Sequence, residues 1–137
     1  MKNVLYIEDN PHDVQIVRAA FDECGITANV FAVANAFLAY RYLSKQSEYA
    51  GVPTPDLIIL DLNLPVVNGR EVLKQLKADP KWSQIPVVVY SSTQRAEEKQ
   101  ACEKLGARFR TKPQTFAEIK KLVRDFEAVA SGRHHTG

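Results

Sequence analysis

Apolar runs of about four residues recur along the chain, and amphipathic stretches fill the intervals between them. The runs are Val4–Ile7, Val30–Val33, Leu57–Leu60, Val87–Tyr90 and a weaker Arg108–Thr111. The first, third and fourth are continuously apolar and rich in β-branched residues, which suits strands buried on both faces of a parallel sheet. Between them, Val14, Val17, Phe21 and Cys24 follow the spacing of one helix face. A second helix is expected from about Asn35 to Lys45, with Phe37, Leu38, Tyr42 and Leu43 on its apolar side. A third starts near Gly69, buries Val72, Leu73 and Leu76, and stops at Asp79-Pro80, because proline disfavours helical geometry in the residue before it. A fourth, Arg95 to Leu105, has few large apolar residues and ends at Gly106, a suitable C′ residue. A fifth places Phe116, Ile119, Leu122, Val123 and Phe126 on one stripe, with Thr115 as N-cap.

This alternation predicts an α/β fold built from five βα units. Parallel crossovers are right-handed, so helices should cover both faces of one sheet. Five units favour the flavodoxin-like doubly wound arrangement, a five-stranded parallel sheet of order 2-1-3-4-5. One domain is expected over residues 1–130, followed by a polar C-terminal tail, 131–137, in which His134 and His135 receive no role. The segment Gln46–Pro55, rich in Ser, Gly and Pro, reads as an exposed loop.

Composition narrows the function classes. The 137 residues are 45% apolar and 25% charged, as in an ordinary globular domain. A formal net charge of +2 is too small to make nucleic acid or an anionic membrane the expected partner. The Lys120-Lys121 pair reads as a solvated helix face. Cys24 and Cys102 form no C-x-x-C or Cys/His cluster and read as two buried thiols. No signal peptide is visible, and no apolar run approaches the roughly 18 residues of a membrane span, so a cytoplasmic location is expected.

In an open α/β sheet, ligands bind outside the carboxyl ends of the strands. The first strand ends in Glu8-Asp9, the third in Asp61 followed by Leu62-Asn63, the fourth in Ser91-Ser92-Thr93, and the fifth in Lys112-Pro113. In the expected strand order, the ends of strands one, three and four converge. Carboxylates brought together repel, and a divalent cation relieves the repulsion; hard oxygen ligands select Mg²⁺ or a similar ion. Mg²⁺ keeps several waters and leaves room for a phosphate oxygen. A carboxylate beside it can attack phosphorus to give an aspartyl-phosphate. Lys112 adds a second positive charge, and the Ser91 hydroxyl can donate to a phosphoryl oxygen. Taken singly, each residue has a commoner structural use: Glu8-Asp9 as a helix-start signal, Asp61 and Ser91 as turn residues. An acid pair, a lone Asp, a hydroxyl and a Lys at successive strand ends rarely coincide by chance.

The segments VLYIEDNPHD, DLIILDLNLPVVNG, PVVVYSS and GARFRTKP, in this order, resemble the receiver domain of two-component response regulators. The resemblance spans nearly the whole chain. It implies that Asp61 is the phosphoacceptor, that Asp9 and Asp61 ligate Mg²⁺ directly, that Glu8 acts through water and that Asn63 offers its backbone carbonyl. It makes Ser91 the switch hydroxyl and Lys112 the partner of the phosphoryl group, followed by a proline, Pro113, that often has a cis bond before it. Phe109 takes the place of a switch aromatic without a hydroxyl, or else is a fixed core residue. The family often has Asp where Asn68 stands, and a small Ala where Ser92 stands. Asn63 and Thr93 occupy positions that tune dephosphorylation.

The resemblance further implies a histidine kinase or phosphotransfer protein as donor and a downstream protein as target. The fourth helix, fifth strand and fifth helix would be the output surface. Only about seven residues follow the fifth helix, so no output domain is expected in this chain. The long Gln46–Pro55 loop and the Asp79–Trp82 run also resemble single-domain, CheY-like regulators that accompany phytochrome-type sensor kinases. The oligomeric state stays open between a monomer and a phosphorylation-dependent homodimer.

Three other readings fit less well. A phosphatase with an aspartyl nucleophile would want a second Asp two residues later as general acid, where Asn63 stands. A nucleotide- or flavin-binding module would want a Gly-rich or hydroxyl-rich loop after the first strand, where Glu8-Asp9-Asn10-Pro11 is the reverse in charge. A phosphate-independent scaffold would not need the full set of acids and Lys112.

Overall fold

The computed structural model describes residues 2–132. Strands β1 (Lys2–Ile7), β2 (Ala28–Val33), β3 (Leu57–Leu60), β4 (Val87–Ser91) and β5 (Arg108–Thr111) alternate with helices α1 (Pro11–Glu23), α2 (Ala36–Leu43), α3 (Gly69–Ala78), α4 (Ala96–Lys104) and α5 (Phe116–Ala130). All pairings are parallel and the order is β2-β1-β3-β4-β5, the flavodoxin-like arrangement. The β1–β3–β4 register is in step: Ile7 pairs with Leu60, and Leu60 with Val89. The chain segments leaving these three strands therefore emerge at one edge.

Two apolar layers sandwich the sheet. Leu5, Ile7, Ile58, Leu60, Val87 and Val89 point to the face covered by α2, α3 and α4, while Val4, Tyr6, Leu57, Ile59, Val88 and Tyr90 point to the face covered by α1 and α5. The segments Val4–Ile7, Leu57–Leu60 and Val87–Tyr90 of the central strands are thus apolar at every position because each side chain meets a helix whichever way it points.

Local sequence fixes the helix starts. Asn10, Asn35, Asn68 and Thr115 are N-caps whose side chains accept hydrogen bonds from the N–H of His12, Leu38, Glu71 and Glu118. α4 has no such side-chain cap, and among its residues Cys102 is the buried one. It is the helix with the least holding it.

Some expectations need correction. Phe37 faces solvent, 57% exposed, because the buried face of α2 is made by Ala36, Ala39, Tyr42 and Leu43. Phe116 is 39% exposed at the start of α5, outside the stripe of Ile119, Val123, Phe126 and Val129. Cys102 is buried, but Cys24 is only half-buried, at the end of α1. β2 begins two residues earlier than its apolar run. The loop after α2 contains a short 3₁₀ turn, Ser47–Tyr49. Its neighbour Tyr42 packs against both Phe31 and Tyr49. No cis peptide bond occurs among the described residues, so the bond before Pro113 is trans. His134 and His135 lie outside the described residues.

The contrast between two apolar residues tests this packing. Leu73, fully buried under the sheet, should cost about 2–5 kcal/mol when changed to Ala. Phe37→Ala should fall within about 0.5 kcal/mol of wild type. Chemical denaturation of both variants checks the pair.

Candidate functional site

The carboxyl edge of the sheet carries the acids. Glu8 follows β1 directly and is fixed by its N–H donating to the Val33 carbonyl at 2.9 Å. Asp61 follows β3, and its N–H donates to the Ile7 carbonyl at 3.1 Å. Lys112 follows β5, and its N–H donates to the Ser91 carbonyl at 2.8 Å. Strand pairing thus extends one residue past each strand and delivers the polar side chains to one place.

Glu8, Asp9 and Asp61 each offer a carboxylate oxygen, and these oxygens lie within 4.8 Å of one another. Glu8 and Asp61 are buried while Asp9 is exposed. The set is all hard oxygen, with one acid open to water. Glu8, Asp9 and Asp61 would be the residues to hold one divalent cation here, as an all-oxygen set of this spread suits it. The residues fit a Mg²⁺-type ion.

Lys112 balances part of this charge. Its ammonium donates to Glu8 Oε1 at 2.7 Å and to Asp13 Oδ2 at 2.9 Å, and stands 3.8 Å from Asp61 Oδ2. It also lies 5.7 Å from the centre of the Tyr90 ring. Burial would lower the lysine pKa, but the bonds from Glu8 and Asp13 and the charge of Asp61 outweigh it and hold the ammonium charged. Glu8 goes the other way relative to its charge: burial pushes its carboxyl up to about 7, against the opposing pull of Lys112, and nearby Asp61 adds to the rise. The Asn10 N–H donates to Glu8 Oε2 at 3.2 Å, and the Tyr6 hydroxyl makes a longer bond, 3.4 Å, to Oε1. Burial followed by the negative field of Glu8 raises the Tyr6 phenol well above its ordinary value, so it stays a donor.

The Asp61 carboxylate accepts from the Asn63 N–H at 3.2 Å through Oδ1. Its side chain keeps 6% exposure, so access is narrow. A polar cleft of about 430 Å³, lined by Leu62, Asn63, Asn68, Arg70, Ser92, Thr93, Arg95 and Glu98, opens beside the residues that follow Asp61 and Ser91. A larger cavity, about 710 Å³, lies near the α1–β2 turn and holds no comparable acid cluster among its lining residues. Ser91 is fully buried, and its hydroxyl accepts from the Thr93 N–H at 3.2 Å. Phe109 is buried in the layer under α3 and α4, with its side chain turned inward.

The loop from Asp61 to α3 is tightly built. A side chain on Gly69 would collide with the Asp61 carbonyl and lie 2.6 Å from the Leu62 Cα. The Gly69 N–H donates to the Leu62 carbonyl at 2.9 Å, so the helix start is pressed onto the segment carrying Asp61. Between them the Val67 N–H donates to the Pro65 carbonyl at 2.8 Å around Val66, whose φ is 67° and which is 89% exposed. A β-branched residue in this left-handed region is strained.

The structure therefore brings together Glu8, Asp9, Asp61 and Lys112, and sets Ser91 and Asn63 beside them. Sequence reasoning missed Asp13. Its signal was present: it sits five residues after Glu8 in the first turn of α1, on the face that meets the strand ends.

Residues 4–124 match the family described as the response regulator receiver domain. The chain belongs to this family. Among curated relatives, response regulator Rcp1 of a Synechocystis strain is 32% identical over 128 residues, covering 93% of this chain and 87% of that protein. The KDP operon transcriptional regulatory protein KdpE of Escherichia coli is 33% identical over 135 residues, covering 98% of this chain but only 53% of that protein. Among solved structures, the Mn²⁺-bound form of Rcp1 superposes with a TM-score of 0.83 at 32% identity, covering 93% of each chain. The phosphorylated cyanobacterial phytochrome response regulator RcpA gives 0.87 at 32% identity, covering 98% of this chain and 96% of that one. The receiver domain fold and its acidic pocket thus agree with the arrangement described above. No helix among the described residues is long and apolar enough to cross a membrane.

Gly69→Ala tests how the receiver domain builds its site. Overpacking should destabilise the fold by about 1–3 kcal/mol or more and push α3 off Asp61. A lowered midpoint in denaturant, together with shifted backbone amide resonances at Asp61 and Leu62, is the expected result.

Proposed function

We propose that Asp61 accepts a phosphoryl group from a histidine kinase or phosphotransfer protein, with Mg²⁺ held by Asp9 and Asp61, by Glu8 through water and by the Asn63 backbone carbonyl. The observation that carries this reading is the convergence of three carboxylates within 4.8 Å beside an ammonium 3.8 Å from Asp61. RcpA, a relative at 32% identity, is phosphorylated, and Rcp1 binds Mn²⁺, which supports both halves of the reading.

The chemistry follows from the geometry. An Asp61 oxygen attacks phosphorus, the bond from phosphorus to the donor nitrogen or oxygen breaks, and the leaving group departs with the electron pair. A divalent cation held by Asp9 and Asp61 would offset negative charge on the phosphoryl oxygens. Lys112 neutralises more of it from the end of β5, and the near-complete burial of Asp61 strengthens both effects by lowering the local dielectric. The protein is a phospho-accepting signalling domain; its turnover is limited to receiving the group and losing it to water.

The phosphoryl group adds about −2 charge and three acceptors. The Ser91 hydroxyl then donates to it, and the β4–α4 loop follows. α4 has one buried side chain and an Arg70–Glu98 ion pair at 3.2 Å to α3, which is weak anchorage. The signal therefore leaves through α4, β5 and α5, a surface in which Arg110 on β5 pairs with Asp125 on α5 at 3.0 Å. Phe109 moves with the loop as the switch aromatic. Phosphorylation shifts a population between two arrangements. Likeness to RcpA points to a phytochrome-type kinase as the donor. A partner protein reads the switched surface, and a monomer or a phosphorylation-dependent homodimer presents it.

Acetyl phosphate with Mg²⁺ should label the protein once. Labelling should vanish in Asp61→Asn and on chelation by EDTA; label persisting in that variant would place the acceptor elsewhere. Ser91→Ala should still be labelled, yet should lose most of the phosphorylation-induced amide shifts in α4 and β5, read by two-dimensional NMR.

A further inference from the structure

Asp13 lies outside the acid cluster suited to a cation, yet its carboxylate contacts Lys112. An acid in the first turn of a helix has an ordinary use, because it complements the helix dipole. The geometry here asks for more. The ammonium of Lys112 has three protons to place. It donates to Glu8 at 2.7 Å and to Asp13 at 2.9 Å. The gap to Asp61 Oδ2, 3.8 Å, is an ion-pair distance beyond hydrogen-bond reach. The lysine side chain is 18% exposed and that of Asp13 30%, so this is a partly buried, charge-assisted bond. α1 therefore draws the ammonium away from the nucleophile.

A cation in the site would engage Glu8, and Asp13 would be the carboxylate left to hold the lysine. With Glu8 drawn toward a cation and Asp13 removed, the ammonium would have one strong course open: to close on Asp61 and cover an oxygen that must attack phosphorus. A hydrogen bond there would withdraw electron density from the nucleophile and compete with the cation for the same oxygen.

We propose that Asp13 is a positioning residue that holds the Lys112 ammonium off Asp61, leaving the nucleophile uncovered while keeping the positive charge where incoming phosphoryl oxygens arrive. This rests on Asp61 being the acceptor. In the acetyl phosphate reaction an Asp61 oxygen bonds to phosphorus, the phosphorus–acyl oxygen bond breaks, and acetate leaves with the electron pair. No proton is moved, so the effect of Asp13 acts through placement of charge.

The test uses the full chain with acetyl phosphate at saturating Mg²⁺, alongside crystal structures with Mg²⁺ and without donor. Asp13→Asn should slow labelling by about threefold or more, and Asp13→Glu should restore most of the rate. In the Asp13→Asn structure, the Lys112–Asp61 distance should contract from 3.8 Å to about 2.8 Å. A role confined to the helix start would lower the melting temperature and leave that distance unchanged. Labelling of Asp13→Asn at the wild-type rate, equal slowing in Asp13→Glu, or an unchanged gap would each overturn the proposal. Asp61→Asn separates the two ideas. If it remains labelled, the acceptor assignment fails; if it is silent while Asp13→Asn reacts normally, only the role of Asp13 fails.

Discussion

Negative charge crowded at the carboxyl edge of a parallel sheet has to be compensated, and most of what is distinctive in this molecule answers that requirement. Glu8 and Asp61 are almost fully buried, and with Asp9 their oxygens crowd within 4.8 Å. Isolated carboxylates in such a place are costly to keep ionised. The compensation is drawn from several elements: an ammonium from the end of β5, backbone N–H groups from Asn10 and Asn63, and a phenol from β1. It is incomplete, as the upward displacement of the Glu8 carboxyl to about 7 records. A site that its own side chains leave short of positive charge is suited to take up a cation.

The same edge separates what must be rigid from what must move. The acids stand on β1 and β3, strands paired on both sides and sandwiched by helices. α3 is clamped onto the Asp61 segment by the close approach at Gly69. Ser91, by contrast, ends a strand that leads into a loop and a helix with a single buried side chain. Asp61 thus has a tightly packed support on the α3 side and a thinly packed one on the α4 side. The proposed output through α4 and β5 lies on the side where burial is thinnest, which is where low local stability is expected.

The strand order, the N-cap at Thr115 and the placing of Glu8, Asp9, Asp61 and Lys112 at the strand ends were legible in the sequence because they rest on short-range signals. Continuous apolar runs mark strands covered on both faces, and polar residues directly after them must lie at the strand ends. What escaped depends on tertiary placement. Phe37 looked buried on helical spacing, but two alanines beside it let α2 approach the sheet on another face. Phe109 could have been mobile or fixed on the sequence alone; its inward burial is a property of the packed layer. Asp13 was passed over because its lysine partner is 99 residues away, and only the β1–β3–β4–β5 order brings them together. The left-handed Val66 has no sequence mark at all, since valine is among the residues least suited to that conformation.

That strained valine bears on how the site is held. The chain must turn from the end of β3 to the start of α3 within eight residues, while keeping the Asn63 N–H on Asp61 and the Gly69 N–H on the Leu62 carbonyl. Pro65 fixes one dihedral of this path, and the bond from Val67 back to the Pro65 carbonyl closes a turn around Val66. A glycine at 66 would relax the turn, but it would also widen the conformations open to the loop. A β-branched residue narrows them once the left-handed geometry is imposed by its neighbours. Backbone strain at this point is thus the counterpart of order at Asp61: the loop gives up local comfort so that the donors around the buried carboxylate stay fixed.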